Sequence, residues 1–147
     1  MEADLKKRFA PELTEEKAGN YSPLVLAFTG DSVFETAVRT LLVLRGQRPV
    51  NVLNRLKNQY VKAHAQALMA EAVSGILTEK EAAVLRRGRN AKSYTMAKNA
   101  TVTDYRYATG FEALVGYLHL TGQTERLLEL IAKGIDAVEH GTGGSDE

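Results

Sequence analysis

The sequence has no cysteine, which excludes disulfides, thiolate zinc sites, iron–sulfur clusters and Cys nucleophiles together and implies no oxidising compartment. Proline is scarce, with three residues and none after Pro49. Isoleucine occurs 3 times, whereas Ala and Leu together supply 37 residues. A proline-free tract rich in the two best apolar helix formers reads as all-α. There is no long hydrophobic run: the longest stretch without Asp, Glu, Lys or Arg is the 13 residues from Ala18 to Gly30, too short to span a bilayer. The start, MEADLKKRFAPELTEEK, lacks the apolar core of a leader peptide. These absences lead us to expect a soluble, cytoplasmic protein with no membrane partner. Strong net charge is missing too, since 19 Lys and Arg face 18 Asp and Glu for a total of +1. That argues against coating nucleic acid over the whole surface but leaves room for a local basic patch. What remains is ordinary globular composition, 44% hydrophobic and 25% charged over 147 residues, enough for one domain with a sizeable core. The expected division is a single domain at 1–140 and a mobile tail, GTGGSDE, at 141–147.

Helix punctuation orders the chain. Ser22 and Pro23 form an N-cap and first-turn pair, and Gly46 follows, so the first main helix is expected from Pro23 to about Leu44. A second is expected from about Val52 to Ser74, with Leu53, Leu56, Tyr60, Ala63, Ala67 and Ala70 on one stripe. Thr78 to Glu81 reads as a capping box opening a short helix that ends at Gly88. The segment GRNAKSYTMAKNATVT that follows has little apolar periodicity and reads as a long loop. Helix is expected again from about Thr103 to Gly122 and from Glu125 to His140.

On the first of these helices, positions 24, 28, 31, 35, 38 and 42 share one face, which sets Asp31 and Glu35 among Leu24, Phe28, Val38 and Leu42. Burying an unpaired carboxylate costs several kcal/mol, so Asp31 needs a cation, hydrogen bonds or a cleft. Gly30, mid-helix at a cost of about 1 kcal/mol against Ala, suggests that something approaches the helix backbone closely there. Glu112 repeats the pattern among Phe111, Ala113, Val115 and Gly116. Taken singly, Asp31 is explained by an ion pair with an Arg such as Arg39 or Arg106 and Glu112 by a place at a helix rim; the two together are better explained by a shared site for a hard cation such as Mg²⁺. His119, alone between two leucines, reads as a core or interface residue rather than a ligand.

The near-neutral total hides an asymmetry: residues 86–106 hold six basic residues and one acid, against 13 basic and 17 acidic elsewhere. Arg86, Arg87, Arg89, Lys92 and Lys98 alternate with Asn90, Ser93, Tyr94, Thr95 and Asn99, side chains suited to phosphate and sugar oxygens. This segment leads directly into the helix bearing Glu112.

LVLAFTGDSVFE (Leu24 to Glu35) resembles the signature of ribonuclease III domains, FEALVGYLHLTG (Phe111 to Gly122) resembles their second catalytic helix, and with RGRNAKS (Arg87 to Ser93) between them the pattern is similar to the small bacterial subfamily called Mini-ribonuclease III. The resemblance implies an all-α ribonuclease III endonuclease fold that forms a homodimer, with two active sites in a valley for double-stranded RNA. It implies Asp31 and Glu112 as catalytic residues and metal ligands, Mg²⁺ as cofactor, and cleavage of both strands to 5′-phosphate and 3′-hydroxyl ends. The implied substrate is 23S ribosomal RNA precursor, with a ribosomal protein on that substrate as a further partner. Glu35 stands as an outer-shell ligand of the metal or as a structural carboxylate. The RNA-binding set is Arg86, Arg87, Arg89, Asn90, Lys92, Ser93 and Lys98. Two departures stand out: where the family at large has acids before each catalytic carboxylate, this chain has Ala27 and Thr109, a reduction that the small subfamily shares. No separate double-stranded RNA-binding domain follows Gly122, so one domain is expected to bind and cut. The alternatives are a noncatalytic double-stranded RNA-binding module of the same fold, and a helical scaffold with a solvated basic face.

Overall fold

A computed structural model describes residues 1–91 and 101–141, and among these the regular structure is entirely helical. The helices are α1 (Glu2–Phe9), α2 (Glu15–Gly19), α3 (Pro23–Arg45), α4 (Val50–Val61), α5 (Ala63–Val73), α6 (Glu79–Asn90), α7 (Val102–Leu120) and α8 (Thr124–His140), with a 3-10 turn at Ser74–Ile76. The all-α expectation holds. None of the described helices is long and apolar enough to cross a membrane.

The architecture is built around α7, which lies against α3, α5, α6 and α8. From Ala108 to Leu118 every residue of α7 is buried except Glu112. A helix that is apolar or small on all sides belongs in the centre of a helical domain. Phe111 of α7 meets Phe34 of α3 edge to face, with ring centroids 5.5 Å apart.

Local signals account for the helix starts. The Ser22 hydroxyl accepts from the Leu24 amide at 3.2 Å ahead of Pro23, and the capping box at Thr78 and Glu81 is complete. Glu81 does more than cap, since its buried carboxylate also takes Nε and a terminal nitrogen of Arg126 at 2.9 and 2.8 Å. Arg126 in turn donates to the Ile76 carbonyl at 2.6 Å, which ties α8 to the start of α6. At the other end, Arg45 and the Tyr60 hydroxyl both donate to the Glu139 carboxylate, at 2.5 and 2.6 Å, and lock α3, α4 and α8 together.

Three expectations need correction. The helix expected from Val52 to Ser74 is two helices, because Lys62 adopts extended backbone (ψ 154°). The break resets the phase: Tyr60 ends one buried stripe, and Ala65, Gln66, Met69, Ala70 and Val73 form the next. Helix α6 does not stop at Gly88 but runs to Asn90. A Cβ on Gly88 would lie 2.8 Å from the Ala113 Cβ and 2.9 Å from the Gly110 Cα, so this glycine serves the α6–α7 contact rather than a helix end. Two short helices, α1 and α2, precede the Ser22 cap where none was expected; α2 is capped by the Thr14 hydroxyl, which accepts from the Lys17 amide at 3.1 Å. The centre of the expected long loop, residues 92–100, and the expected tail beyond Gly141 lie outside the described residues.

Candidate active site

Helices α3 and α7 cross glycine to backbone. A Cβ on Gly30 would overlap the carbonyl oxygen of Glu112, and one on Gly116 would overlap the carbonyl oxygen of Leu26. The close approach suggested by Gly30 is therefore real, and its partner is the backbone of the other carboxylate-bearing helix. Asp31 follows Gly30 directly, so the crossing brings the two acids side by side and their carboxyl groups hydrogen bond. Glu112 is pushed up to about 8, first by burial and then by the hydrogen bond and charge of Asp31. Burial and the neighbouring Asp31 thus favour the protonated form of Glu112 near neutral pH.

The face on which Asp31 was expected is not the buried one. Leu24 is 38% and Phe28 81% exposed, while the buried face of α3 is Leu26, Ala27, Gly30, Phe34, Val38 and Leu42. The register shifts by one position because only Gly30 lets α7 come close, leaving Asp31 exposed at the edge of the crossing rather than sealed inside. Nor does Asp31 pair with Arg39 or Arg106. Arg39 Nε donates to Glu35 at 2.7 Å, and Lys57 approaches the same carboxylate at 3.9 Å. Among the described residues neither Asp31 nor Glu112 forms an ion pair with a basic side chain.

Two neighbouring carboxylates with no basic partner among the described residues make a donor set suited to a hard divalent ion such as Mg²⁺, which accepts few protein oxygens and keeps its waters. No group of three or more His, Asp or Glu side chains able to hold a metal occurs among the described residues. The two positions where acids are absent are closed in other ways: Ala27 is buried, and the Thr109 hydroxyl donates to the Tyr105 carbonyl at 3.0 Å. Sequence reasoning missed Gln66, which is 2% exposed beneath the site and faces Glu112. Its signal was an amide set among the small and apolar residues of AHAQALMAEAV. His119 is half-buried, and burial holds its pKa below the ordinary imidazole value.

Of the basic set, Arg86 and Asn90 are exposed. Arg89 places its guanidinium 5.6 Å from the centre of the Tyr107 ring and donates through Nε to the Asn90 side chain at 3.2 Å. It flanks a cleft of about 610 Å³ that is also lined by His64, Asp104 and Tyr107. Arg87 points the other way, donating to the carbonyls of Gly19 and Tyr21 at 2.7 and 3.1 Å. Lys92, Ser93 and Lys98 fall outside the described residues.

The family model "Ribonuclease III domain" matches residues 24–123, a span that contains both carboxylates and the crossing that joins them. The chain belongs to the ribonuclease III family. Within that family it is 46% identical over 127 residues to a Mini-ribonuclease 3 of a Thermoanaerobacter species, covering 86% of this chain and 89% of the relative. It is 56% identical over 110 residues to the Mini-ribonuclease 3 of Enterococcus faecalis, covering 74% and 83% respectively. These relatives set the chain in the Mini-ribonuclease 3 group of the ribonuclease III family. An X-ray structure of a Fusobacterium nucleatum protein superposes with a TM-score of 0.73 at 29% identity, over 80% of this chain and 94% of that one. The ribonuclease III fold seen here is thus shared with a crystallographically determined relative.

Proposed function

We propose that the chain is a Mg²⁺-dependent endonuclease of double-stranded RNA in which Asp31 and Glu112 hold the cation. Family membership makes it an endoribonuclease of the ribonuclease III type. The observation that carries the finer reading is the contact between the two carboxyl groups, held by the Gly30 and Gly116 crossing and unaccompanied by any basic partner among the described residues. When bound, the ion supplies a Lewis acid that lowers the pKa of water and offsets charge on phosphate oxygens. The chain's own residues do the rest. Glu112 would release its proton to solvent and, with the Asp31 carboxylate at the exposed edge of α3, would hold the cation, while the basic groups would neutralise the RNA backbone. Cleavage leaves 5′-phosphate and 3′-hydroxyl ends, and the proposed substrate is 23S ribosomal RNA precursor, carrying a ribosomal protein, in the cytoplasm.

Arg86, Arg89, Asn90, Lys92, Ser93 and Lys98 are proposed as the RNA-contacting set. Arg87 shares this role least, because two backbone carbonyls already hold its guanidinium. Glu35, held by Arg39 and Lys57, acts on our reading as a structural carboxylate. We further propose that residues 1–140 form one catalytic unit and that it works as a homodimer. Leu24, Val25 and Phe28 are exposed on α3 within two turns of Asp31, an apolar patch that a second copy would cover while extending the RNA valley past the carboxylates.

Incubating end-labelled duplex RNA with the protein, with and without Mg²⁺, tests the reading. Cleavage of both strands that requires Mg²⁺ and disappears in Asp31→Asn is expected. Binding without any cut, under Mg²⁺ or Mn²⁺, would instead identify a noncatalytic double-stranded RNA-binding module.

A further inference from the structure

Gln66 is the one described residue with a buried side-chain polar atom that makes no hydrogen bond: its Nε2 has no partner among the described residues. Buried amide donors are rarely left this way, and those that are call for an explanation. Three features show that the position is held rather than accidental. The extended backbone at Lys62 ends α4 and sets the phase of α5, and the Gln66 amide bonds the Lys62 carbonyl at 3.1 Å in its first turn. Neighbours Ala65, Met69 and Ala70 are buried and apolar, and they offer the side chain no alternative acceptor. The carboxyl group that Gln66 faces is Glu112, on the central helix against which α5 packs.

We propose that Gln66 is a positioning residue of the active site, whose Nε2 donates a hydrogen bond to the Glu112 carboxylate when that carboxylate turns to bind a divalent cation. The proposal rests on the function proposed above. Gln66 is 2% exposed, so it reaches neither RNA nor solvent and acts through Glu112 alone. In the cation-free state the Glu112 carboxyl is engaged with Asp31, and the Gln66 side chain favours its charged form from behind without completing a hydrogen bond through Nε2. Cation uptake by Asp31 and Glu112 would break that mutual contact, and the Gln66 donor would then be placed to hold the Glu112 carboxylate in orientation. Outer hydrogen bonds of this kind orient metal-binding carboxylates and typically change metal affinity or activity by about 10- to 100-fold.

The test compares the wild type with Gln66→Met, which keeps the length of the side chain and removes the donor. Mn²⁺ alone, titrated calorimetrically, is expected to bind about 10-fold more weakly to the variant. The cation-free melting temperature is expected to be equal to or higher than that of the wild type, because an unpaired buried amide has been removed. Duplex RNA affinity without divalent ions stays within twofold, and kcat falls with KM unchanged. A second measurement needs only the wild type: the Gln66 side-chain amide protons are expected to move downfield in the NMR spectrum on saturation with Mg²⁺. Wild-type Mn²⁺ affinity and kcat in Gln66→Met, or amide protons unmoved by Mg²⁺, would overturn the assignment. If the wild type itself neither binds Mn²⁺ nor cuts duplex RNA, the metal-dependent reading fails and takes the Gln66 proposal with it.

Discussion

Gly30 of α3 lies directly against the carbonyl oxygen of Glu112 on α7, so the residue beside one candidate metal ligand touches the backbone of the other. Packing and chemistry meet at this point. The crossing that closes the core also sets the distance between the two carboxyl groups.

Gly30→Ala therefore tests both at once. In a free helix the substitution would add about 1 kcal/mol of stability. Here the new methyl would meet a backbone carbonyl and the Gly116 amide nitrogen at 2.8 Å, neither of which can swing aside as a side chain would. Overpacking of this kind costs about 1–3 kcal/mol or more and outweighs the propensity gain. A fall in melting temperature is expected, together with loss of cleavage in whatever fraction remains folded. Gly75→Ala, where no atom lies within 4 Å of the new Cβ, is the control and should change neither.

Divalent ions should stabilise the folded chain through Asp31 and Glu112. The two acids hydrogen bond without a basic partner among the described residues, so a cation that binds only the folded state raises the melting temperature by mass action. At 100 times the dissociation constant the gain is about 2.7 kcal/mol. Thermal melts over a Mg²⁺ series are expected to show this rise in the wild type and not in Asp31→Asn. An equal rise in both would place the ion elsewhere on the molecule.

Much of this was legible in the sequence, and the failures have identifiable causes. The Ser22–Pro23 cap, the Thr78–Glu81 box and the choice of Gly30 as a contact point are local signals, and each appears in the structure as expected. The buried face of α3 differs from the one that periodicity predicts because periodicity does not register which helix supplies the contact. Leu24 and Phe28 look like core residues and are exposed, whereas Gly30 carries no hydrophobic signal and is at the centre of the packing. Gly88 reads as a helix end for the same reason, since a glycine that stops a helix and one that admits a neighbour look identical in one dimension. The break at Lys62 was hidden because both sides of it are good helix; only the five-residue step from Tyr60 to Ala65 betrays the change of phase. Gln66 was missed for a related reason, as its burial depends on that break.

The Glu81–Arg126 pair makes a pH-dependent contribution whose sign is fixed. The Arg126 hydrogen bonds and, against the opposing effect of burial, the Thr78 amide hold the Glu81 carboxyl below its ordinary value of 4.5. A depressed carboxylate contributes stability above the unfolded value and loses it as the pH falls through the folded one. Glu81→Gln leaves Arg126, whose side chain is 23% exposed, without its closest anion, and should cost about 1.5–3 kcal/mol at pH 7. The difference between wild type and variant should shrink as the pH is lowered below 4.5, which urea titrations at pH 7, 5 and 3 would follow. A gap that stays constant over this range would mean that the pair adds packing and no linkage.

Phe28→Asp examines the proposed homodimer. Phe28 is 81% exposed and sits one turn before Asp31, so a charge there opposes burial against a second copy at little cost to the fold. The expected outcome is a monomer in sedimentation at concentrations where the wild type is a dimer, with an unchanged melting profile when both are dilute. Duplex cleavage should fall with it, since the valley that holds a duplex would be halved. Unchanged sedimentation in the variant would move the interface away from this end of α3.

Arg89 and Arg87 lie two positions apart on α6 and should respond differently to removal. Arg89 holds its guanidinium beside the Tyr107 ring and, among the described residues, donates only to a side-chain amide, so its charge is expected to be available to phosphate. Arg87 binds the carbonyls of Gly19 and Tyr21 and anchors the segment that leads into α3. Arg89→Ala is expected to weaken duplex RNA binding and to lower the slope of log affinity against log salt by about one, with melting temperature intact. Arg87→Ala is expected to lower the melting temperature, with about 1.5–3 kcal/mol lost for charge-assisted bonds, and to leave the salt slope nearly unchanged. Measuring both quantities for both variants separates an arginine that meets RNA from one that holds the fold. The reverse pattern, a salt-slope change in Arg87→Ala alone, would put the RNA path over α2 rather than along the Tyr107 side of α6.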